Sequence, residues 1–148
     1  MRLKKLLLIN FKNILQSEIA LTDGINCFVG DNGAGKTNIL DAIYYLSMSK
    51  SAFTMTDGQS VSHGEEFFVA EGSYLSDEGR AELLNCSFSR KGGKVLKRNG
   101  KEYERLADHV GNFQSYNFSS TFTHFLPLNY IFPTRLCVFY EFYFNFAF

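Results

Sequence analysis

The 148-residue chain is long enough for one domain with a modest core and too short for two full domains. Its 15 basic and 15 acidic side chains cancel, which excludes a general electrostatic attraction to nucleic acid or to an anionic membrane. The three cysteines, Cys27, Cys86 and Cys137, are widely spaced and form no pair with zinc-ligand spacing, which favours a reducing, cytoplasmic compartment.

The first thirty residues predict a hairpin followed by a short strand. Apolar residues dominate segments 3–9 and 14–21, on either side of the polar bend at residues 10–13. The basic start of the chain precedes an apolar run that is too short for a signal-peptide core. Residues 25–29 are β-prone and end directly at a glycine, which predicts a buried central strand.

A helix and several strands are predicted after this point. Apolar residues recur at helical spacing after Lys36, which predicts a helix of about three turns: Ile39, Leu40, Ile43 and Leu46. Three strands are then predicted at residues 67–70, 82–88 and 95–97, the last forming a hairpin with residues 101–103. Asn99-Gly100 between these two arms favours a type I′ turn, and residues 105–110 predict a short helix.

Composition changes abruptly near Phe113. Residues 1–113 hold 28 of the 30 charged side chains and all 12 glycines, whereas residues 114–148 hold 13 of the 24 aromatic residues. A folding domain alternates charged surface and turn residues with its apolar core, whereas the tail has only Arg135 and Glu141 as charged residues and no glycine. We therefore expect residues 1–113 to form the domain and residues 114–148 to be a non-native tail, such as a shifted reading frame produces.

The chemistry of the chain is concentrated in residues 30–37, which match the phosphate-binding pattern G-x-x-x-x-G-K-[ST] between a predicted strand and a predicted helix. The glycines allow the backbone to approach phosphate oxygens, and the start of the helix adds its positive dipole end. Lys36 suits the β- and γ-phosphates, and the Thr37 hydroxyl suits Mg²⁺. The predicted nucleotide-binding residues are Gly30, Asp31, Asn32, Gly33, Ala34, Gly35, Lys36 and Thr37. The alternative is a glycine-rich turn of purely structural use.

Residues 1–113 resemble the RecF family of bacterial DNA-repair ATPases, whose front end is shared with other SMC-like and ABC-type ATPases. The motifs that carry the resemblance lie at residues 1–13, 24–26, 30–46, 51–53 and 106–111. The resemblance implies an α/β fold, a P-loop NTPase of the ABC/SMC-head type, present here as its N-terminal lobe. That lobe would combine a mixed sheet and the P-loop helix with antiparallel strands.

The resemblance also implies cofactors and partners. ATP and Mg²⁺ would be the cofactors, and the full-length family would form an ATP-dependent homodimer in the cytoplasm. The DNA partner would be a single-stranded/double-stranded junction at a gap. There the family works with RecO and RecR to load recombinase, during DNA replication, repair and the SOS response. No signature or Walker B motif is found in the chain, so we expect ATP binding without meaningful hydrolysis and assign no catalytic residue.

Several weaker features leave alternatives open. Residues 137–141 read superficially as a Walker B strand ending in Glu141. However, the expected Asp is absent, no LSGGQ-like segment precedes the strand, and no buried parallel strand is expected there. Lys12 could approach nucleotide or DNA, or could be an exposed turn lysine. A basic cluster around the second hairpin could contact a phosphate backbone or be solvated: Arg90, Lys91, Lys94, Lys97, Arg98 and Lys101. His63 and His109 are interpreted as structural or surface residues.

Three hypotheses follow for the whole chain. It could be the N-terminal lobe of a RecF-like ATPase, a nucleotide- or DNA-binding module that has lost turnover, or a truncated or frame-shifted product without activity. Another SMC-like ATPase head is the alternative within the first hypothesis. We favour a combination of the first and third hypotheses, a RecF protein by descent that is incomplete as presented. The residues after Phe113 are the feature that separates the three hypotheses.

Overall fold

The computed structural model describes residues 1–109 and 135–138, and in these residues one helix packs on a six-stranded antiparallel sheet. The strands of this sheet have the order β2-β1-β4-β5-β6-β7. Their bounds are β1 Arg2–Phe11, β2 Ile14–Ala20, β4 Phe67–Leu75, β5 Ala81–Ser89, β6 Gly93–Arg98 and β7 Lys101–Glu102. A separate parallel pair joins β3, Ile25–Phe28, to β8, Arg135–Val138. The expected combination of parallel and antiparallel strands is confirmed, divided between two sheets.

Both predicted hairpins are present. In the first, Phe11 pairs with Ile14, so the turn consists of Lys12 and Asn13. In the second, Arg98 pairs with Lys101. Asn99 and Gly100 have φ angles of 51° and 81° there, as a type I′ turn requires.

The core lies between the helix and one face of the large sheet. Helix α1, Lys36–Met48, packs on β1, β4 and β5, and its length agrees with the three turns predicted. Three fully buried rings, Phe11, Tyr45 and Phe68, meet edge to face at centroid distances of 5.2 to 5.9 Å. The apolar face of the helix therefore packs on the sheet face that carries Phe11 and Phe68.

Gly72 on β4 allows the helix to approach the sheet closely. A Cβ atom at this position would lie 2.6 Å from Tyr74 Cε2 and 3.1 Å from both Leu3 Cδ1 and Leu46 Cδ1. Nothing larger than hydrogen fits there without displacing these side chains.

Two predicted elements differ from the structure. The strand expected to be buried, β3, exposes Cys27, and the adjacent Val29 is 66% exposed, since among the described residues this strand pairs only with β8. The helix expected at residues 105–110 is a single 3-10 turn, Leu106–Asp108. The following His109 is fully buried and its Nε2 lies 2.7 Å from the Leu46 carbonyl oxygen, so its interpretation as a structural residue is confirmed.

The C-terminal part of the chain gives one unexpected strand. We expected no buried parallel strand at residues 137–141, yet Arg135–Val138 pairs in parallel with β3, with Cys137 opposite Cys27. The parallel pairing is a correction, because it joins residues far apart in the sequence that no local pattern relates. Glu141, and with it most of the predicted non-native tail, lies outside the described residues. None of the helices in the described part is long and apolar enough to cross a membrane.

Candidate nucleotide-binding site

The candidate loop connects the end of β3 to the start of helix α1. Strand β3 ends at Phe28 and the helix begins at Lys36, which is the strand–loop–helix context that the sequence predicted. Gly33 and Gly35 have φ angles of 86° and 95°, in the region that favours glycine. Gly35 is the residue before the helix, and its carbonyl oxygen accepts the Ile39 N–H at 3.0 Å. The two glycines therefore turn the backbone directly into the helix.

Lys36 folds back over this loop. Lys36 is only 6% exposed. Its side-chain ammonium donates hydrogen bonds to the carbonyl oxygens of Gly30 and of Asp31, the latter at 2.7 Å. The Ala34 N–H also donates to the Asp31 carbonyl oxygen, at 3.2 Å. A buried ammonium needs such oxygen partners because it has left water. The loop thus holds a positive charge on the inside of its own curve.

The eight predicted residues differ in their exposure. Asp31, Asn32, Gly33 and Ala34 are exposed, Gly35 and Lys36 are buried, and Gly30 and Thr37 are half-buried. The exposed backbone of the loop is open to a ligand, whereas the lysine and the last glycine are anchored in the fold. Thr37 lies in the first turn of α1, where backbone N–H groups have no partner within the helix.

The β1–β2 turn supports the loop from the other side. Asn13 Nδ2 donates to the Gly33 carbonyl oxygen at 2.8 Å, and Asn38 Nδ2 donates to Asn13 Oδ1 at 2.7 Å. Sequence reasoning missed both asparagines. The position of Asn13 in the polar bend at residues 10–13, directly before the second predicted strand, is the signal that could have singled it out, since asparagines in turns often use the side-chain amide for hydrogen bonds.

Lys12 is neither an exposed turn lysine nor directed at the loop. Its side chain is 11% exposed, and Nζ lies 2.6 Å from Asp41 Oδ2 on helix α1. The fully buried Asp41 carboxylate also accepts hydrogen bonds from Ser51 Oγ and the Ala52 N–H, both at 2.7 Å. The Lys12 ammonium lies 5.3 Å from the centroid of the Phe53 ring, within cation–π range. The exposed-lysine alternative is therefore wrong.

The basic cluster of the second hairpin is partly neutralised. Lys94 lies 2.9 Å from Asp57 Oδ2, and Arg98 donates two hydrogen bonds of 2.9 Å to the Glu82 carboxylate. The hydrogen bond from Arg98 is the main factor that holds the pKa of Glu82 below its usual range. Two of the six basic residues are thus paired with acids, which leaves fewer free positive charges for a phosphate backbone.

Metal-ligating side chains are not clustered in the described part of the chain. In residues 1–109 and 135–138, no group of three or more His, Cys, Asp or Glu side chains could hold a metal ion.

Most of this chain is similar to known proteins. Residues 1–133 match a family model described as an AAA ATPase domain. A curated relative, the DNA replication and repair protein RecF of Phocaeicola vulgatus, is 49% identical over 111 residues. That alignment covers 75% of this chain and 30% of the relative. The chain thus spans about 30% of the length of the curated relatives that it matches.

Two solved structures share the fold. A structure of the recombination mediator protein RecF with ATP in the RecFOR pathway matches with a TM-score of 0.72 and 29% identity, over 76% of this chain and 30% of that chain. The SMC head domain from Thermotoga maritima matches with a TM-score of 0.59 and 29% identity, over 73% of this chain and 40% of that chain.

Proposed function

Because the chain belongs to the AAA ATPase domain family, we propose that it is the ATP-binding part of a RecF-type DNA replication and repair protein. The observation that carries the proposal is the Lys36 ammonium, held over a glycine-rich loop between β3 and α1. The 49% identity to a RecF protein over 111 residues selects RecF over other ATPases with this fold.

The triphosphate would lie in the curve of the loop. Consecutive backbone N–H groups before and at the start of α1 would donate to phosphate oxygens, as helix N-termini and glycine-rich nests do. Lys36 would exchange its carbonyl partners at Gly30 and Asp31 for the β- and γ-phosphates. This exchange keeps the buried ammonium paired with oxygen atoms throughout.

Magnesium would be bound together with the nucleotide. Thr37 in the first turn of α1 would supply its hydroxyl oxygen, and the phosphates and water would supply the remaining ligands. Mg²⁺ held there would neutralise part of the charge of the β- and γ-phosphates.

The wider role concerns a protein about three times as long as the matched region, since the alignment covers 30% of the RecF relative. We propose that this protein acts in the cytoplasm on DNA at single-stranded/double-stranded junctions. RecO and RecR would be its partners in loading recombinase, and ATP would hold two RecF heads together as a homodimer. The RecFOR pathway of the solved RecF–ATP relative supports this assignment.

Thermal unfolding tests the proposal on this chain. Any ligand that binds only the folded state raises its stability by mass action, by about 2.7 kcal/mol at a hundred times its dissociation constant. ATP with Mg²⁺ should therefore raise the unfolding temperature, whereas adenosine at the same concentration should raise it much less. Equal effects of ATP and adenosine would contradict a site built around phosphate.

A further inference from the structure

Asn13 lies between the candidate loop and helix α1, although it comes from the β1–β2 turn. Its side chain donates to the Gly33 carbonyl oxygen at 2.8 Å and accepts from Asn38 Nδ2 at 2.7 Å. One amide thus uses its donor on the loop and its acceptor on the first turn of the helix. Two partners on different elements fix the orientation of this side chain.

The missing side chain of Gly35 makes room for Asn13. A Cβ atom at Gly35 would lie 3.0 Å from Asn13 Oδ1 and 3.4 Å from Ile14 Cγ1. Gly35 also has a φ angle of 95°, so both its conformation and its surroundings require glycine. The loop and the hairpin turn are therefore fitted to each other.

The turn that presents Asn13 is itself held in place. The Lys12 N–H donates to the Ser60 carbonyl oxygen at 2.8 Å, and the Asn10 carbonyl oxygen accepts the Ser62 N–H at 2.9 Å. The Lys12 side chain is ion-paired with the buried Asp41. Asn13 consequently extends from a fixed support, which is what a residue needs in order to position a neighbouring loop.

The contact with Gly33 sets the direction of the next N–H group. In a planar trans peptide, the C=O and N–H bonds point in opposite directions, and the chain contains no cis peptide among its described residues. Asn13 holds the Gly33 C=O toward the turn, so the Ala34 N–H points away from the turn, where it meets the Asp31 carbonyl oxygen at 3.2 Å. That direction leads into the curve of the loop.

We propose that Asn13 is a positioning residue that orients the Gly33–Ala34 peptide so that its N–H exchanges the Asp31 carbonyl oxygen for a nucleotide phosphate. The inference rests on the proposed function, since it concerns the same loop. Asn13 contacts the loop backbone and not the nucleotide. Its effect on affinity comes from keeping the peptide in the orientation that a phosphate requires. Binding then carries no free-energy cost for reorienting this peptide.

The test compares, in the full chain, Asn13 in the turn with Asn10 near the end of β1. Asn13→Ala removes the contact with Gly33. The matched control is Asn10→Gly, because Asn10 donates to Glu65 at 3.2 Å, away from the loop, and its φ angle of 52° is one that glycine accepts. Asn13→Ala should bind a fluorescent ATP analogue about fivefold more weakly, as expected for the loss of one neutral hydrogen bond. Asn10→Gly should bind at the wild-type affinity.

Amide hydrogen exchange without nucleotide gives a second readout. Asn13→Ala should speed exchange in residues 30–37, whereas Asn10→Gly should leave it unchanged. If Asn13→Ala does not fold, Asn38→Ala replaces it, with a smaller loss of affinity in the same direction. Wild-type affinity in the folded variant would overturn the inference and leave ATP binding intact. Weaker binding without faster exchange would also overturn it, because Asn13 would then contact the nucleotide itself. A wild-type chain that binds no ATP analogue would overturn the proposed function as well.

Discussion

Lys12 Nζ lies 2.6 Å from Asp41 Oδ2, and this ion pair joins the β1–β2 turn to the helix that follows the candidate loop. The carboxylate is fully buried and the lysine side chain is 11% exposed, so neither charge is well solvated. Asn38, which contacts Asn13, lies three residues before Asp41 and hence on the same side of the helix. The turn is thus attached to two successive turns of α1.

Loss of the Asp41 charge should destabilise the fold. Asp41→Asn keeps the shape but leaves the Lys12 ammonium without its counter-charge, which should cost about 3 kcal/mol of unfolding free energy. Urea denaturation measures this cost. Glu18→Gln, which breaks the exposed Lys5–Glu18 pair, is the control and should cost less than about 1 kcal/mol. Adding Lys12→Met to Asp41→Asn should recover part of the loss. An equal loss of unfolding free energy in Asp41→Asn and Glu18→Gln would show that the buried pair contributes no more to stability than the exposed pair.

Gly72→Ala should destabilise the helix–sheet contact. The added methyl group would meet Tyr74, Leu3 and Leu46 at distances of 2.6 to 3.1 Å, and overpacking of this kind typically costs about 1–3 kcal/mol. Gly24→Ala is the matched control, because the nearest atom to its Cβ would be Thr22 Oγ1 at 4.0 Å. Thermal unfolding of the two variants decides the matter. A Gly72→Ala variant as stable as Gly24→Ala would mean that the helix does not pack as described.

The fold should become less stable as pH is lowered, because His109 then becomes protonated. Burial is the main cause that lowers the pKa of His109 below its ordinary 6.5, and the charge of Arg98 acts in the same direction. The unfolded chain therefore binds a proton at higher pH than the folded chain does. The stabilising effect is fully present above pH 6.5 and is lost as pH falls toward the folded-state pKa, by at most about 1.4 kcal/mol per pH unit.

Denaturation at pH 7.5 and pH 5.5 would measure this dependence. His109→Gln should flatten it, whereas His63→Gln should not, since His63 is exposed. The same slope in the wild type and in His109→Gln would assign the pH dependence to other groups.

Turnover of ATP by this chain should be negligible. Hydrolysis needs a carboxylate that helps to hold Mg²⁺ and a group that orients water. Asp41, the buried acid of the helix after the loop, is already engaged by Lys12, Ser51 and Ala52. Steady-state phosphate release measures the rate. Robust release that Lys36→Ala abolishes would reveal an unrecognised catalytic acid, with Glu141 the first residue to replace.

The hairpins, the helix and the loop could be predicted from the sequence because local chemistry determines them. Asn99-Gly100 accepts two positive φ angles, and the apolar spacing after Lys36 defines one helix face. The resemblance to RecF was equally visible, since residues 30–46 are continuous in the chain, and it is confirmed by the curated relatives.

The remaining features depend on contacts between residues distant in sequence. Lys12 and Asp41 are 29 positions apart, and no local pattern shows that a turn lysine would be buried against a helix. The Asn13–Gly33 bond likewise forms only once the hairpin and the loop have packed together. The pairing of β3 with β8 joins residues more than a hundred positions apart, which periodicity does not encode.

The central claim is that residues 30–37 bind the triphosphate of ATP through Lys36, and titration with a fluorescent ATP analogue in the presence of Mg²⁺ tests it most directly. Lys36→Ala should weaken binding about ten- to a hundredfold, as the loss of a charge-assisted contact of about 1.5–3 kcal/mol predicts. Lys97→Ala, which removes an exposed lysine on β6, should bind as the wild type does. Equal affinities for the wild type, Lys36→Ala and Lys97→Ala would contradict the claim.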